Sequence, residues 1–352
     1  MNRNAPLFLL LAAIALSLYA HSAVLSEFVM PTYGNTMIHV ANARHLVETG
    51  FYPIQDDYSY GGGAPNLYVP LFRFAYAEAV LLTGLSFDLV GRLFVLLFAL
   101  LLPLGFYLLA SRAWGEWAGA AAAFASCLVP ELLIYTVRPL PQALGLALLP
   151  VAFYFLAKNN WRAAPAATLL VTLVHQEAGV FLVGCAFAYA FARVAHASWH
   201  AKKLVFPAEA RLGFACWTCG VAAYFAWHFF VMGNLAVFDL AQFQHHEGGR
   251  VTFDLLLTKT GKAVLLFGAL GALAAFWRAL RSRVPNETEL LLLACVGAGL
   301  FACFNDLVGI NVFMDRFIVF LALPLVCFAA LGLKEAYAFA ERVSTRVNRV
   351  TV

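Results

Sequence analysis

Apolar runs that approach or reach the length of a membrane span recur along almost the whole of this 352-residue chain, separated by short polar stretches. A transmembrane helix needs about 20 mostly apolar residues. The pattern therefore predicts about ten membrane-spanning helices. We place them near residues 6–25, 88–110, 117–135, 140–157, 164–175, 178–195, 212–232, 263–279, 290–304 and 316–333.

One further apolar segment, residues 71–85, does not fit this series. It is short and carries Arg73 and Glu78 near its centre, which is costly for a helix that faces lipid. We expect it to form an interfacial or re-entrant helix on the outer side. Most Lys and Arg residues then fall on inner loops and tails, as the positive-inside rule requires, and both termini lie in the cytoplasm.

Composition supports a membrane protein and excludes several other classes. The chain is 63% hydrophobic and 12% charged, with a mean hydropathy of +0.80, which is too apolar for a soluble domain. No basic run interleaved with aromatic residues indicates nucleic-acid binding. The seven cysteines lie in or beside apolar runs, so we expect them to be packing residues and not disulfide partners.

The predicted organisation is a single transmembrane domain, residues 1–333, followed by a cytoplasmic amphipathic tail, residues 334–352. The first apolar run is longer than the usual core of a signal peptide, so we predict that it is an uncleaved span. Residues 26–87 then form the first extracytoplasmic loop, with interfacial or re-entrant helices. We expect the protein to reside in the plasma membrane.

The first loop holds the densest group of polar residues. Asp56-Asp57 is the only pair of adjacent acidic residues in the chain. Such a pair can act as a general base, hold a divalent cation such as Mg²⁺ or Mn²⁺, or form a solvated acidic turn. Residues 36–49 fit an interfacial helix, and Asn35 and His39, four residues apart, share one face. That face either contributes to a site or is simply solvated.

Four more polar residues lie at the predicted outer ends of spans. His175 and Glu177 interrupt a long apolar stretch, and ionisable groups at membrane depth are more often functional than decorative. Arg138 and Arg316 each offer a guanidinium fork that suits phosphate oxygens, unless a local carboxylate pairs with it. We predict that these side chains converge with the first loop on one outer site. No set of separated His and Cys ligands predicts a bound metal ion.

Several short motifs follow the first span. They are Gly34-Asn35-Thr36-Met37-Ile38-His39, Ala43-Arg44-His45-Leu46, Gly50-Phe51-Tyr52-Pro53 and Leu82-Thr83-Gly84-Leu85-Ser86, with Arg316 far downstream. In these motifs the chain resembles the GT-C superfamily of membrane glycosyltransferases, which includes oligosaccharyltransferase catalytic subunits, protein O-mannosyltransferases and archaeal relatives. The resemblance implies an all-α polytopic fold and a sugar donor linked to polyprenyl phosphate that enters from the bilayer.

The resemblance also implies roles for individual residues. Members of the superfamily use an acidic residue of the first outer loop on the acceptor or the metal, but Asn35 occupies that position of the Gly-x-Asp-x-x-x-His pattern here. An amide cannot act as a general base, so we expect Asp56 or Asp57 to be catalytic. Arg316 and Arg138 are expected to bind the donor phosphate. Asn35, His39, His175 and Glu177 are expected to position the substrate.

Two functions remain open from the sequence. The first is an inverting glycosyltransferase that moves a sugar from a polyprenyl-phosphate donor to an extracytoplasmic acceptor. The alternative is a non-catalytic GT-C-like membrane subunit that binds a lipid-linked glycan or a partner membrane protein, which Asn35 favours. A transporter ranks lowest, since the polar residues cluster on the outer side only.

Overall fold

The computed structural model describes residues 4–28, 36–56, 64–233 and 249–350, and side chains as far as Arg342 apart from that of Asp56. The described chain is almost entirely helical, as predicted. Its α-helices are α1 (Ala5–Glu27), α2 (Thr36–Thr49), α3 (Leu71–Thr83), α4 (Phe87–Trp114), α5 (Glu116–Ser126), α6 (Pro130–Thr136), α7 (Pro141–Ala157), α8 (Ala163–Val174), α9 (Gln176–Ala201), α10 (Ala208–Met232), α11 (Phe253–Thr260), α12 (Lys262–Arg281), α13 (Glu287–Cys303) and α14 (Ile318–Val350).

Short elements complete the described fold. Two 3₁₀ turns, Asn305–Val308 and Met314–Phe317, join α13 to α14. The two-residue strands Gln55–Asp56 and Ala64–Pro65 pair antiparallel. This small hairpin lies in the connection between α2 and α3, within the predicted first loop.

Six of the described helices are long and apolar enough to cross a membrane: α1, α4, α9, α10, α12 and the segment Met314–Arg342 that contains most of α14. The pair α5 and α6 makes a seventh candidate if counted as one span, although it bends by 71°. The shorter helices α7 and α8 are also apolar. The protein is therefore a multi-pass membrane protein. A helix lies at each of the ten predicted positions, but the count of ten crossings stays a prediction.

The bend between α5 and α6 has a local cause. Helix α5 ends at Ser126, and Pro130 begins α6 after a break of three residues. Proline lacks the amide hydrogen that a continuing helix needs, yet its fixed φ suits the first turn of a new helix. The predicted span at 117–135 is thus two helices set at an angle.

Helix α14 is the central element of the bundle. Its apolar part is 89% buried, the largest share among the candidate spans. Helix α12 crosses α14 at a point where Gly271 of α12 lies against Gly332 of α14. A Cβ at Gly271 would collide with the carbonyl oxygen of Phe328. Close approach of this kind favours van der Waals packing between helices in lipid.

The first loop contains two helices whose ends follow glycine signals. Gly50 stands directly after α2, and Gly84 caps α3; both have positive φ. The interfacial position of α2 and α3 stays a prediction. Helix α14 continues through residue 333 without interruption, so the placement of the tail on the inner leaflet also stays a prediction.

Contacts between distant parts of the chain define the two ends of the bundle. At one end the Trp227 indole donates to the carbonyl of Tyr68 at 3.1 Å, joining α10 to the first loop. At the other end the Trp114 indole donates to Glu289 at 2.6 Å, joining α4 to α13. We call the first the loop end and the second the opposite end.

The close crossing of α12 and α14 generates a stability prediction. Gly271→Ala should lower the free energy of unfolding by about 1–3 kcal/mol, the usual cost of overpacking, because the new Cβ meets backbone atoms that cannot easily move. The measurement is the unfolding midpoint in detergent. Gly297→Ala on α13 is the matched control, since nothing lies within 4 Å of its added Cβ. Equal midpoints for the two variants would contradict the close approach.

Candidate functional site at the loop end

A wholly buried arginine, Arg73 on α3, is the centre of the polar contacts at the loop end. Its Nε donates to Nδ1 of His39 at 3.2 Å. Its Nη1 donates to the hydroxyl of Tyr52 and to Oδ1 of Asn66, both at 2.7 Å. The guanidinium also lies 5.3 Å from the ring centre of Tyr68, which adds a cation–π contact. Four segments of the first loop therefore meet on one side chain.

Every one of these partners is uncharged. No carboxylate among the described side chains lies within ion-pair distance of Arg73, and its Nη2 is buried without a hydrogen-bond partner in the described part of the chain. A buried charge is costly unless other groups solvate it, so the hydroxyl, amide and imidazole acceptors replace water around the guanidinium. No described acidic side chain therefore offsets the charge of Arg73.

The cluster continues through Asn66 into the rest of the loop. The Asn66 amide donates to the carbonyl of Pro53 at 2.8 Å and to Oδ1 of Asn42 at 3.3 Å. Asn42 in turn donates to the carbonyl of Ile38, one turn earlier on α2. These contacts hold the extended part of the loop against α2. The shape of the first loop thus depends on polar contacts as well as on apolar packing.

A second group of polar residues lies at the turn between α8 and α9. His175 caps α9, accepting the backbone N–H of Ala178 on Nδ1 at 3.3 Å. The turn is tight because Gly179 approaches the backbone of Thr172, where a Cβ would lie 2.7 Å from Cα. Gly145 on α7 leaves room for His175 in the same way. The predicted break at His175 is confirmed as the end of one helix and the start of the next.

Glu177 and Arg316 form an ion pair at this turn. Oε1 of Glu177 lies 3.1 Å from Nη1 of Arg316, and the side chains are 7% and 47% exposed. Oε2 of Glu177 is buried and has no hydrogen-bond partner among the described residues. The carboxylate is therefore fixed by one oxygen, while about half of the arginine side chain stays accessible. Arg316 thus pairs with a carboxylate, but the partner is the distant Glu177 and not the local Asp315 or Asp306, and its role toward phosphate stays a prediction.

Further charged residues extend the group toward α11. Lys259 lies 2.9 Å from Glu131 on α6 and 4.0 Å from Asp315, next to Arg316. Each of these side chains is at most one-third exposed. The described carboxylates of the loop end thus gather near Lys259 and Arg316, and no described carboxylate pairs with Arg73.

Each of the two groups contains a histidine whose pKa is lowered. Burial, with the charge of Arg73 as the second cause, holds the pKa of His39 well below its ordinary value. Burial and the charge of Arg316 lower the pKa of His175 to about 3. Both histidines are therefore neutral at physiological pH, and they are close enough to influence each other.

Comparisons with known proteins were informative at the level of structure only. No protein-family model and no curated protein matches the sequence. Solved structures do match. The oligosaccharyltransferase of Archaeoglobus fulgidus in the apo form aligns with 99% of this chain and 52% of its own, with a TM-score of 0.65 and 14% identity. ArnT from Cupriavidus metallidurans bound to undecaprenyl phosphate aligns with 95% of this chain and 61% of its own, at TM-score 0.64 and 15% identity.

The chain has the fold of the GT-C glycosyltransferases. A third match, the archaeal oligosaccharyltransferase AglB from A. fulgidus in complex with an inhibitory peptide and a dolichol-phosphate, aligns at TM-score 0.60 and 14% identity over 99% of this chain. The chain spans about half the length of that oligosaccharyltransferase, 52%. At such low identity the GT-C likeness establishes the fold and leaves the activity to be proposed.

Four of the predicted site residues come together at the loop end of this GT-C fold: His39, His175, Glu177 and Arg316. Arg138 lies half-buried in the link between α6 and α7 at the same end. Three predicted positions fall outside the described residues or side chains: Asn35, Asp56 and Asp57. The roles assigned to all eight stay predictions. In the part of the chain that the structure describes, no group of three or more His, Cys, Asp or Glu residues could hold a metal ion.

Sequence reasoning missed three members of the cluster: Arg73, Tyr52 and Asn66. Arg73 did carry a signal, because a charged residue in an apolar segment must find partners. That signal excludes residues 71–85 as a lipid-facing span, but it does not identify the partners of the guanidinium. Nothing in the spacing of Tyr52 and Asn66 marks them as ligands of a guanidinium.

The Arg73 cluster generates a second prediction. Arg73→Met should lower the free energy of unfolding by about 1–3 kcal/mol or more, because it leaves the buried acceptors of His39, Tyr52 and Asn66 without a donor. It should also expose the first loop to proteases. Arg112→Met, at an exposed site of the opposite end, is the control. A midpoint and a digestion rate equal to those of the control would show that Arg73 does not organise the loop.

Proposed function

We propose that this protein is a membrane glycosyltransferase of the GT-C type, which transfers a sugar from a polyprenyl-phosphate donor to an extracytoplasmic acceptor. The observation that carries the proposal is a buried group of arginine, histidine and glutamate side chains at the loop end of a GT-C fold. The matched ArnT and AglB structures contain undecaprenyl phosphate and dolichol-phosphate, respectively. A lipid-linked phosphate is therefore the ligand class to test first.

Arg316 is the proposed anchor for the donor phosphate. Glu177 holds one side of its guanidinium, and the side chain is still 47% exposed. The planar fork is therefore oriented before the ligand arrives, and its remaining N–H groups are available for phosphate oxygens. Arg138, in the α6–α7 link at the same end, is the proposed second donor to the phosphate.

The acceptor is proposed to be activated by Asp57 or Asp56. One carboxylate takes the proton of the acceptor hydroxyl as its oxygen attacks the anomeric carbon. The bond between that carbon and the phosphate oxygen breaks, and the polyprenyl phosphate leaves with both electrons. A single displacement inverts the anomeric configuration. Mg²⁺ or Mn²⁺ bound by the Asp56-Asp57 pair would assist the departure of the phosphate.

Substrate positioning is assigned to His39, His175 and Glu177, with Asn35 nearby in the sequence. Oε2 of Glu177 is a buried acceptor with no partner among the described residues, which suits a sugar hydroxyl. The two histidines present polar ring atoms at the same end. Hydrogen bonds of this kind fix the orientation of a sugar relative to the attacking group.

The second candidate function is a non-catalytic GT-C-like subunit that binds a lipid-linked glycan or a partner membrane protein. Asn35 favours it, because an amide replaces the acidic residue of the superfamily pattern. Such a subunit would bind the lipid phosphate through Arg316 and would show no turnover.

A transfer assay separates the two functions. The purified protein is reconstituted with a panel of undecaprenyl- and dolichyl-phosphate sugars, and release of the free polyprenyl phosphate is measured in the presence of a membrane extract that supplies acceptors. Asp57→Asn or Asp56→Asn should reduce turnover about 10²–10⁴-fold, since it removes a general base. Arg316→Met should weaken lipid binding, measured by native mass spectrometry.

Two results decide the assignment. Arg112→Met, a change at the opposite end, should leave turnover and lipid binding unchanged. Lipid binding by the wild type with no turnover of any donor would establish the non-catalytic subunit instead. Absence of both turnover and lipid binding would reject the transferase and the lipid-binding subunit.

Sidedness is the third part of the proposal. We propose a plasma-membrane protein of ten spans with both termini in the cytoplasm, which puts the loop end outside. Cysteines introduced at Tyr60 and Gly309 should react with an impermeant maleimide in intact cells. A cysteine at Val284, an exposed residue of the opposite end, should react only after permeabilisation. Labelling of Tyr60 and Gly309 from different sides would rule out a shared outer site.

A further inference from the structure

The ring of His39 has only one possible tautomer when neutral. Its Nδ1 lies 3.2 Å from Nε of Arg73. A guanidinium has N–H donors and no acceptor, so Nδ1 must supply a lone pair and cannot carry hydrogen. The proton of the neutral ring is therefore on Nε2. No described residue forms a hydrogen bond to that nitrogen.

His175 reaches the same tautomer by a different route. Its Nδ1 accepts the backbone N–H of Ala178 at 3.3 Å, because His175 is the N-cap of α9. A backbone amide nitrogen can only donate, so Nδ1 of His175 is also a bare acceptor. Its Nε2 carries the hydrogen and likewise has no hydrogen-bond partner among the described residues.

The surroundings of both rings oppose a second proton. The groups that face His39 are Arg73 from α3, Tyr68 from the loop, whose ring lies edge-on at 4.9 Å, and His175 from the α8–α9 turn. His175 has Arg316 near it, and the charge of that arginine is shared with Glu177. Protonation of either Nδ1 would set two N–H donors against each other. The lowered pKa values of both histidines agree with this geometry.

We propose that His39 and His175 are a pair of uncharged hydrogen-bond donors, each locked with its hydrogen on Nε2, which bind oxygen atoms of the lipid-phosphate donor. The identity of that ligand rests on the proposed function, whereas the tautomer does not. In this state neither ring can act as a general base through Nδ1 or add positive charge to the site. The arginines bind the negative charge of the phosphate, and the histidines orient the ligand through their N–H groups.

Two other histidines of the chain provide an internal contrast. Nδ1 of His21 lies 2.7 Å from the carbonyl oxygen of Ser17, and Nδ1 of His228 lies 2.8 Å from that of Tyr224. A carbonyl oxygen can only accept, so these two rings must carry hydrogen on Nδ1. The chain thus holds both tautomers in buried positions, and one spectrum can compare them.

The test is ¹⁵N NMR of the protein labelled at histidine, in nanodiscs, titrated from about pH 8 to about pH 5 around the ordinary histidine pKa of about 6.5. His39→Gln and His21→Gln, with the corresponding changes at His175 and His228, assign the signals by their loss. His39 and His175 should show a bare, pyridine-type Nδ1 and a protonated Nε2 throughout. His21 and His228 should show a protonated Nδ1 while they are neutral.

The donor role has its own readout, with undecaprenyl phosphate as the probe in native mass spectrometry. The amide of glutamine reaches about as far as Nε2, whereas that of asparagine reaches only to the place of Nδ1. His39→Gln should therefore keep most of the affinity, and His39→Asn should lose about tenfold or more, the effect of one hydrogen bond to a charged group. Arg73→Met should raise the pKa of His39, because it removes a positive charge and the N–H donor that faces Nδ1.

Each result decides a separate claim. A protonated Nδ1 on neutral His39 or His175, or an imidazolium signal near pH 6.5 in the wild type, would overturn the tautomer assignment. Equal affinities of wild type, His39→Gln and His39→Asn would overturn the donor role. If the wild type binds no undecaprenyl phosphate, the proposed function and the donor role fail together, and the tautomer is judged on the spectrum alone.

Discussion

A guanidinium buried among neutral partners is the constraint on which the loop end depends. Arg73 has no exposed surface, so its N–H groups must be satisfied by the protein. Residues 7, 21 and 34 positions away along the chain meet that requirement, and the loop folds back on itself to bring them there. The same contact decides which nitrogen of His39 carries hydrogen. One charge thus sets both the shape of the loop and the chemistry of a site residue.

The apolar bundle supplies the frame in which these polar contacts are possible. Helix α14 is nearly enclosed by its neighbours, and close crossings at glycine hold α12 against it. Arg316 lies in the 3₁₀ turn directly before α14. The position of α14 along the bundle therefore determines whether the guanidinium of Arg316 reaches Glu177, 139 residues earlier in the sequence. Packing deep in the bundle and the ion pair at its end are therefore parts of one arrangement.

The sequence was most informative where hydropathy decides the structure. It predicted the helices, the break at His175 and the unusual character of the segment around Arg73, because each follows from the cost of polar groups in lipid. It did not predict the contacts of Arg73, since its partners are neutral and follow no helical or strand period. The pairing of Arg316 with Glu177 was missed for a related reason. Both residues are predicted on the outer side, but a separation of 139 residues leaves no local spacing that would link them.

Charge is distributed unevenly among the described residues of the loop end. Lys259 is close to Glu131 and Asp315, and Arg316 is balanced by Glu177, so these cations are largely neutralised where they stand. Arg73 is not, because no described carboxylate approaches it. In surroundings of low dielectric such an imbalance acts over several ångströms more strongly than it would in water. Among the described residues, the unbalanced positive charge therefore lies on the side of the first loop, next to His39.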